Sequence, residues 1–409
     1  MLPPLSPEQS IKPTRFELRM SVLFAALYLS NGIHLPYFPL WLEHHDLTPS
    51  QIAVILSAPY LMRIVIGPLV SAYADRANDR VPVLITMAVL ATVASAGFLL
   101  PPLYWVVLIV SVVLGAAWAP HTPLVDSIAL SGARRYGSDY ALMRVWGSIA
   151  FLIVNVIGGY LIGFYGPDLV PPLIVGGFAM IILAAMAAPR IGRPRLQAPN
   201  PADTLPLAAS VLRQPYFLMM VTASALGQAS HAFAYSFSSI YWASLGIPDG
   251  SIGLLWAFSV ACEVVMFFAY KRLFGHLRPA TALAIGAAIG AARWVLFPLV
   301  WPADAGIFGF FALQSLHAFS FCVLFVSTQR MFVETVPEAR MGAAQGVAFF
   351  LAMTLLAALT IISGPLYEAF GGYGYFSMAV VAALACVLAV LARTYPQSAG
   401  SGGKTSDPL

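Results

Sequence analysis

What this chain has least of is charge. Asp, Glu, Lys and Arg make up 9% of its 409 residues, against about 25% in soluble domains. A soluble domain needs polar surface on every side, so the shortage argues against one, and a 60% apolar share points to a chain solvated by lipid. Cysteine is scarce as well. Cys262, Cys322 and Cys386 sit in apolar runs without a CxxC spacing, which excludes a disulfide framework and leaves buried thiols as the expectation. Residues 1–15 lack the apolar core and small-residue cleavage site of a signal peptide, so the first hydrophobic stretch is expected to persist as an anchor. No Ser-His-Asp set or catalytic carboxylate pair stands out, and no enzyme, cofactor or nucleic-acid partner is expected. Glu43-His-His-Asp46 has metal-ligand residue types, but adjacent residues chelate poorly, so no metal is expected. The tail around Lys404-Thr405 ends like a phosphate-binding loop yet lacks its first glycine and flanking elements, and is read as flexible.

What is present is a series of long apolar runs. A membrane-crossing helix needs about 20 mostly apolar residues. That rule places helices near 17–41, 50–73, 81–100, 104–130, 140–164 and 170–188, then near 215–242, 250–270, 280–298, 304–329, 341–365 and 374–392. The fold class expected is an all-α membrane protein of twelve transmembrane helices in two six-helix bundles. Its parts are an N-terminal segment (1–16), a first bundle (17–188), a Pro- and Arg-rich linker (189–214), a second bundle (215–392) and a flexible tail (393–409). None of the 21 Lys and Arg residues falls in the loops after the odd-numbered helices, which carry Glu43, Asp46, Asp168, Asp249 and Glu368. Basic residues crowd the other side, so the positive-inside rule puts both termini in the cytoplasm.

An internal repeat appears at an offset of 200. Leu47-Thr-Pro-Ser-Gln-Ile52 aligns with Ile247-Pro-Asp-Gly-Ser-Ile252, and Gly159-Tyr-Leu-Ile-Gly-Phe-Tyr-Gly166 resembles Gly364-Pro-Leu-Tyr-Glu-Ala-Phe-Gly371. Parallel repeats of this kind build transporters whose halves rock about a central site. The same offset places Arg63 opposite Glu263.

Five ionisable residues lie well within apolar runs: Arg63, Asp126, Arg144, Glu263 and Arg293. Such residues are costly in lipid and are kept for a partner or a task. Asp126 and Arg144 lie nine residues on either side of Arg135, which predicts equal depth and an ion pair between antiparallel helices. Arg63 and Arg293 are then left to share Glu263, and the surplus guanidinium suits a carboxylate-bearing substrate. His34, His121, His231 and His317 are also intramembrane. Asn31, His34, Phe38 and Trp41 share one helix face, as do Gln228, His231, Tyr235, Ser238 and Trp242, while Gln314 accompanies His317. Lipid offers no hydrogen bonds, so these faces must look inward. Aromatic rings mixed with polar groups suit a small, partly apolar ligand.

The residues now named resemble the major facilitator superfamily. Ala72-Tyr-Ala-Asp75-Arg76-Ala-Asn-Asp-Arg80 looks like its cytoplasmic loop signature, with Ser71 where the motif starts with Gly. Within the superfamily the chain resembles the 3-phenylpropionate transporter family over nearly its whole length. The parallels include Asn31-Gly-Ile-His-Leu-Pro-Tyr-Phe-Pro, Pro123-Leu-Val-Asp126, Arg144-Val-Trp-Gly, Phe237-Ser-Ser-Ile-Tyr-Trp242, Arg293-Trp294 and Leu316-His317. A more distant resemblance is to the lactose permeases of the oligosaccharide:proton symporters, whose buried ion pair maps onto Asp126 and Arg144, and whose Glu, Arg and His map onto Glu263, Arg293 and His317. Ser320 replaces their coupling carboxylate, and no acid lies between His231 and Trp242.

The resemblance implies proton-coupled transport by alternating access, with the first, fourth, seventh and tenth helices lining the cavity. The expectation is a monomeric symporter, in the inner membrane of the cell, for a proton and a small, aromatic organic acid. Glu263, Asp126 and His317 are the proton-coupling candidates, since an apolar surround favours the neutral form of a carboxyl group. Asn31, His34, Arg63, Arg144, Gln228, His231, Tyr235, Arg293 and Gln314 are the substrate-binding candidates, and Asp75, Arg76 and Arg80 the gating ones. A sugar or nucleoside symporter and a metabolite or drug exporter are the alternatives. A receptor or scaffold would need an output domain, for which linker and tail are short, and a channel a repeated pore loop.

Overall fold

The computed structural model describes residues 11–192, 213–337 and 340–395. The described residues form α1 (Phe16–His44), α2 (Pro49–Arg76), α3 (Arg80–Ala96), α4 (Tyr104–Trp118), α5 (His121–Tyr136), α6 (Tyr140–Tyr165) and α7 (Val170–Met186) in the first half. The second half holds α8 (Pro215–Ala229), α9 (Ala232–Ser244), α10 (Asp249–Phe274), α11 (Pro279–Leu296), α12 (Gly306–Ser315), α13 (Leu324–Thr335), α14 (Met341–Phe370) and α15 (Tyr375–Ala392). Three pairs, α4–α5, α8–α9 and α12–α13, run end to end as broken rods, and the rest are single rods. Most of the linker and tail, and the first ten residues, lie outside the described residues, as does the Lys404-Thr405 motif.

Helix starts follow local chemistry. Thr48 and Gln51 close a capping box at α2, where the Thr48 side chain accepts from the Gln51 amide at 3.3 Å and the Gln51 side chain accepts from the Thr48 amide at 3.0 Å. Asp79 accepts from the Val81 amide at 2.8 Å and Asp139 from the Ala141 amide at 2.8 Å, which starts α3 and α6. By length and hydropathy, nine stretches among the described residues are able to cross a membrane, and one of them, Met341–Ala392, holds two helices. The rods 16–44 and 215–244 are not among the nine, because Asn31 and His34 dilute the first and Gln228 and His231 the second.

The breaks in the rods differ from the continuous helices expected near 104–130, 215–242 and 304–329. Pro120, which has no amide hydrogen to continue a helix, sits at the first. At the second, the His231 amide donates to Gln228 O at 3.1 Å, a tightened turn. At the third, Ala318–Val323 is wound as a π-helix directly after His317. Of the cysteines, Cys322 is buried, whereas Cys262 and Cys386 are half-buried, each packed at the margin of an apolar cluster.

The halves meet where the repeat is strongest. α6 packs on α10, and α14 on α2, at the end that carries the acidic loops. Gly159 of α6 lies so close to the start of α10 that a Cβ there would stand 2.6 Å from Asp249 O. Gly364 of α14 lies against α2 in the same way, with a Cβ position 2.7 Å from Ser50 Cα. The two repeated motifs are therefore the two sides of each contact: glycine on one helix, and the first turn of its partner opposite. Ser50 Oγ also donates to Glu368 across the halves at 2.7 Å.

Candidate functional site

Near the middle of the membrane-spanning rods the ionisable residues gather in two groups, one per half. Tyr28 of α1 lies within electrostatic reach of Arg144, Asp126, Arg63 and Glu263 together, so four of the five intramembrane ions converge where the halves face each other.

In the first half the expected ion pair is absent: Asp126 and Arg144 are not among the salt bridges of the described residues. α5 runs on to Tyr136, so the turn is centred near Ser138 rather than Arg135, and the two charges are no longer equidistant from it. Tyr140, one turn before Arg144 on the same face of α6, reaches Asp126 instead and donates to it at 3.0 Å. The Arg144 guanidinium donates to the Tyr28 hydroxyl and lies 4.6 Å from that ring and 5.6 Å from Phe24. Arg63 of α2 faces the rings of Trp118 at 5.5 Å and Tyr60 at 6.0 Å. His34 stacks on Phe38 at 4.6 Å and meets Trp118 edge-on at 5.3 Å.

The second half holds a closed network. Arg293, 3% exposed, donates to Leu313 O at 2.9 Å, to Gln314 Oε1 at 2.5 Å, and over longer distances to His317 Nδ1 at 3.4 Å and Ser320 Oγ at 3.5 Å. Gln314 passes its own amide to Leu255 O at 3.0 Å. Arginine only donates, so His317 Nδ1 must accept, and its proton sits on Nε2, 3.6 Å from Glu263 Oε2. His231 points Nδ1 at the carbonyls of Gly227 and Gln228, which leaves Nε2 to accept from Ser320 at 3.1 Å. Glu263 therefore lies within salt-bridge distance of His317 and, among the described residues, of no arginine, with Arg144 in electrostatic reach from the other half; the expectation from sequence shares it between Arg63 and Arg293. The helix break after His317 brings that ring to the carboxylate while Arg293 is held by α12.

A chamber of about 540 Å³ opens beside the first group. Its walls come from α1 (Tyr28, Asn31), α2 (Arg63, Ser71), the end of α4 (Trp118), α5 (Asp126) and, from the second half, Phe349 of α14. Its volume lies in the range of about 300–1,000 Å³ typical of small-molecule sites. The chamber runs toward the ends that carry the basic loops, while Gly159 and Gly364 seal the opposite end. A smaller space of about 60 Å³ continues past Arg63, where Tyr235 and Ser236 of α9 join His34, Tyr60 and Trp118.

The structure thus places Asn31, His34, Arg63 and Tyr235 on these spaces, and Asp126 as well. Gln228, His231, Arg293 and Gln314 line neither; Gln228 donates to Ser224 at 3.2 Å, and the other three belong to the network just described. Their faces look inward as lipid requires, but into the second half's own packing. Ser238 and Trp242 also pack there, the first bonded to the Tyr375 hydroxyl at 2.7 Å. Asp75 binds Arg80 at 2.5 Å, and Arg80 reaches Ser131 at 3.3 Å; Arg76 stands in the last turn of α2. In the acidic loop, His45 pairs with Asp168 at 2.7 Å. Tyr28 and Tyr140 were missing from the candidates. Tyr28 lies one helical turn before Asn31, and Tyr140 one turn before Arg144, so helical spacing from known polar positions is the signal that finds them.

The chain matches the model of the MFS_1 like family over residues 17–378. It is 27% identical over 357 residues to a probable 3-phenylpropionic acid transporter of Escherichia coli (strain K12), a match covering 87% of this chain and 92% of that one. It is 26% identical over 285 residues to a maltose permease of Geobacillus stearothermophilus, covering 68% and 71%. Among solved structures, the nucleoside transporter NupG superposes with a TM-score of 0.79 at 16% identity, covering 93% of this chain and 99% of that one. An inward-facing bacterial homolog of the human lysosomal transporter Spinster gives 0.77 at 13% identity, covering 98% and 100%. At those identities the structural likeness speaks for the fold.

Proposed function

The chain belongs to the MFS_1 like family of the major facilitator superfamily, and from that premise we propose that this multi-pass membrane transporter moves a small aromatic carboxylate together with a proton. The observation that carries the reading is a charge imbalance. Arg63, Arg144 and Arg293 have no carboxylate within salt-bridge distance among the described residues, while Glu263 faces a histidine. A buried cation without an anion is costly, and a substrate carboxylate offsets that cost. The name of the Escherichia coli relative supports the same class of cargo.

Glu263 is the proposed proton carrier, with His317 Nε2–H steadying its charged form. Asp126, already hydrogen-bonded to Tyr140, is the second candidate. The crowding of basic residues in the loops at that end supports a cytoplasmic location for both termini and the chamber's open end, and in this reading the conformation is inward-facing. The outer end is closed by the Gly159 and Gly364 contacts, and import ends in release from this state. Asp75, Arg76 and Arg80 sit at the inner rim and are proposed to tie the cytoplasmic ends when the outer end opens. In this reading the bundles are 17–188 and 215–392, joined by 189–214, and the protein works as a monomer in the cell's inner membrane.

The test is accumulation of radiolabelled 3-phenylpropionate in proteoliposomes with an alkaline lumen. Uphill uptake that a protonophore collapses is the result expected. Uptake that only equilibrates, whatever the pH gradient, contradicts proton coupling. The likeness to a maltose permease favours a sugar as the second reading, and uphill maltose uptake with no binding of the acid would establish it.

A further inference from the structure

We propose that Arg63 is the residue that anchors the substrate carboxylate, and that Asp126 on the same chamber selects for one carboxylate rather than two. The assignment rests on the reading of the cargo as an organic acid and narrows it to one of three arginines. Arg293 is committed at every nitrogen, to Leu313 O, Gln314, His317 and Ser320. Arg144 donates to the Tyr28 hydroxyl. Arg63 makes no hydrogen bond or ion pair among the described residues; the rings of Trp118 and Tyr60 are its partners.

A guanidinium carries five N–H donors, and a half-buried one without acceptors is poised to take a planar, two-oxygen anion. Arg63 also lies at the junction of the two spaces, on the wall of the chamber of about 540 Å³ and of the smaller one of about 60 Å³. A carboxylate there leaves its apolar body in the larger space, between Leu27, Trp118 and Phe349. The two rings beside the cation, with Phe349 supplied by the opposite half, favour an aromatic body. Asp126 lines the same chamber. It repels a second carboxylate, so a monoacid fits where a diacid of equal length does not.

The experiment measures binding of 3-phenylpropionate, its neutral amide and phenylsuccinate, a diacid, to the purified full-length protein. Wild type, Arg63→Gln, Arg63→Lys and Arg144→Gln are compared. Wild type is expected to prefer the monoacid over both others by at least about tenfold, the scale of a charge-assisted hydrogen-bond pair. Arg63→Gln is expected to bind acid and amide within about threefold of each other, through a loss of about 10–100-fold on the acid alone. Arg63→Lys keeps the charge and part of the preference, and reports on the site if the glutamine variant does not fold. Arg144→Gln is expected to weaken acid and amide alike, by about two- to fivefold, and so to keep the preference. Retention of the preference by Arg63→Gln, with its loss in Arg144→Gln, overturns the anchor while leaving the organic-acid reading intact. Equal binding of acid and amide by wild type, or binding of neither, removes the organic-acid reading and the anchor with it. Diacid binding as tight as the monoacid overturns the selection by Asp126.

Discussion

The two halves solve the problem of buried charge in opposite ways. In the second, Arg293, Gln314, His317, Ser320 and His231 use one another's donors and acceptors until little is left over, and the cluster lies on neither cavity. In the first, Arg63 and Asp126 stand on the wall of an open chamber, and Arg63 has only aromatic faces for company. A closed network fixes geometry, and a proton site needs that, because a carboxyl group must be protonated at one place and time. An unfinished cluster is open to a ligand, because what completes it can arrive from solution. The repeat that puts Arg63 and Glu263 at equivalent positions thus gives the two halves the same frame and, in the function proposed above, opposite tasks.

The largest effect expected is from Glu263→Gln, which keeps the hydrogen-bonding shape facing His317 and removes the titrating group. Accumulation against a gradient should fall to equilibration, while counterflow exchange persists; uphill accumulation by this variant would show that the proton is carried elsewhere. Next is Gly364→Val. Even a Cβ at 364 would stand 2.7 Å from Ser50 Cα and 2.8 Å from Pro49 O, and backbone atoms leave little room to yield. Uptake should drop by more than tenfold, with an engineered cysteine at Ser50 becoming more reactive to an external, impermeant thiol reagent. Unchanged labelling there would mean that the contact does not hold the outer end shut.

Arg293→Ala sharpens the comparison from the stability side. It strands Gln314 Oε1 and the Leu313 carbonyl in a buried network, at a cost of about 2–4 kcal/mol. Arg144→Gln removes one bond to a tyrosine hydroxyl and should cost about 1 kcal/mol or less. Thermal unfolding in detergent compares them directly, and equal losses would erase the distinction between a finished and an unfinished cluster. The smallest effect belongs to Tyr28→Phe. Arg144 keeps the ring and loses only the hydroxyl, so substrate KM should rise by about two- to fivefold with the maximal rate nearly unchanged.

Much of this was legible in the residues alone, and what escaped has definite causes. Hydropathy marks the rods because a chain in lipid must keep its backbone bonds internal, which leaves long apolar helices as the economical solution. It does not mark their breaks. Pro120 is a visible helix breaker, but Ser230 and the π-turn after His317 depend on tertiary packing of Trp294 on Ser230 and of His231 on Ser320. The convergence of Arg63, Asp126, Arg144 and Glu263 followed from their cost in lipid. Their pairing did not, because counting along a hairpin needs the turn's exact centre, and a tyrosine competes for a carboxylate as well as an arginine does at short range. The repeated glycines were visible as similarity, and only packing reveals that each is one side of a seal between the halves.

In the function proposed, anion binding and proton carriage reside in different halves. One preparation of proteoliposomes tests it, with a lumenal pH dye reporting proton entry, labelled 3-phenylpropionate reporting substrate, and protein-free vesicles subtracted. Wild type should move protons in step with substrate, and Glu263→Gln should bind the acid within about threefold of wild type while moving no protons. A Glu263→Gln protein that loses binding to the same degree as proton movement would contradict the division of labour.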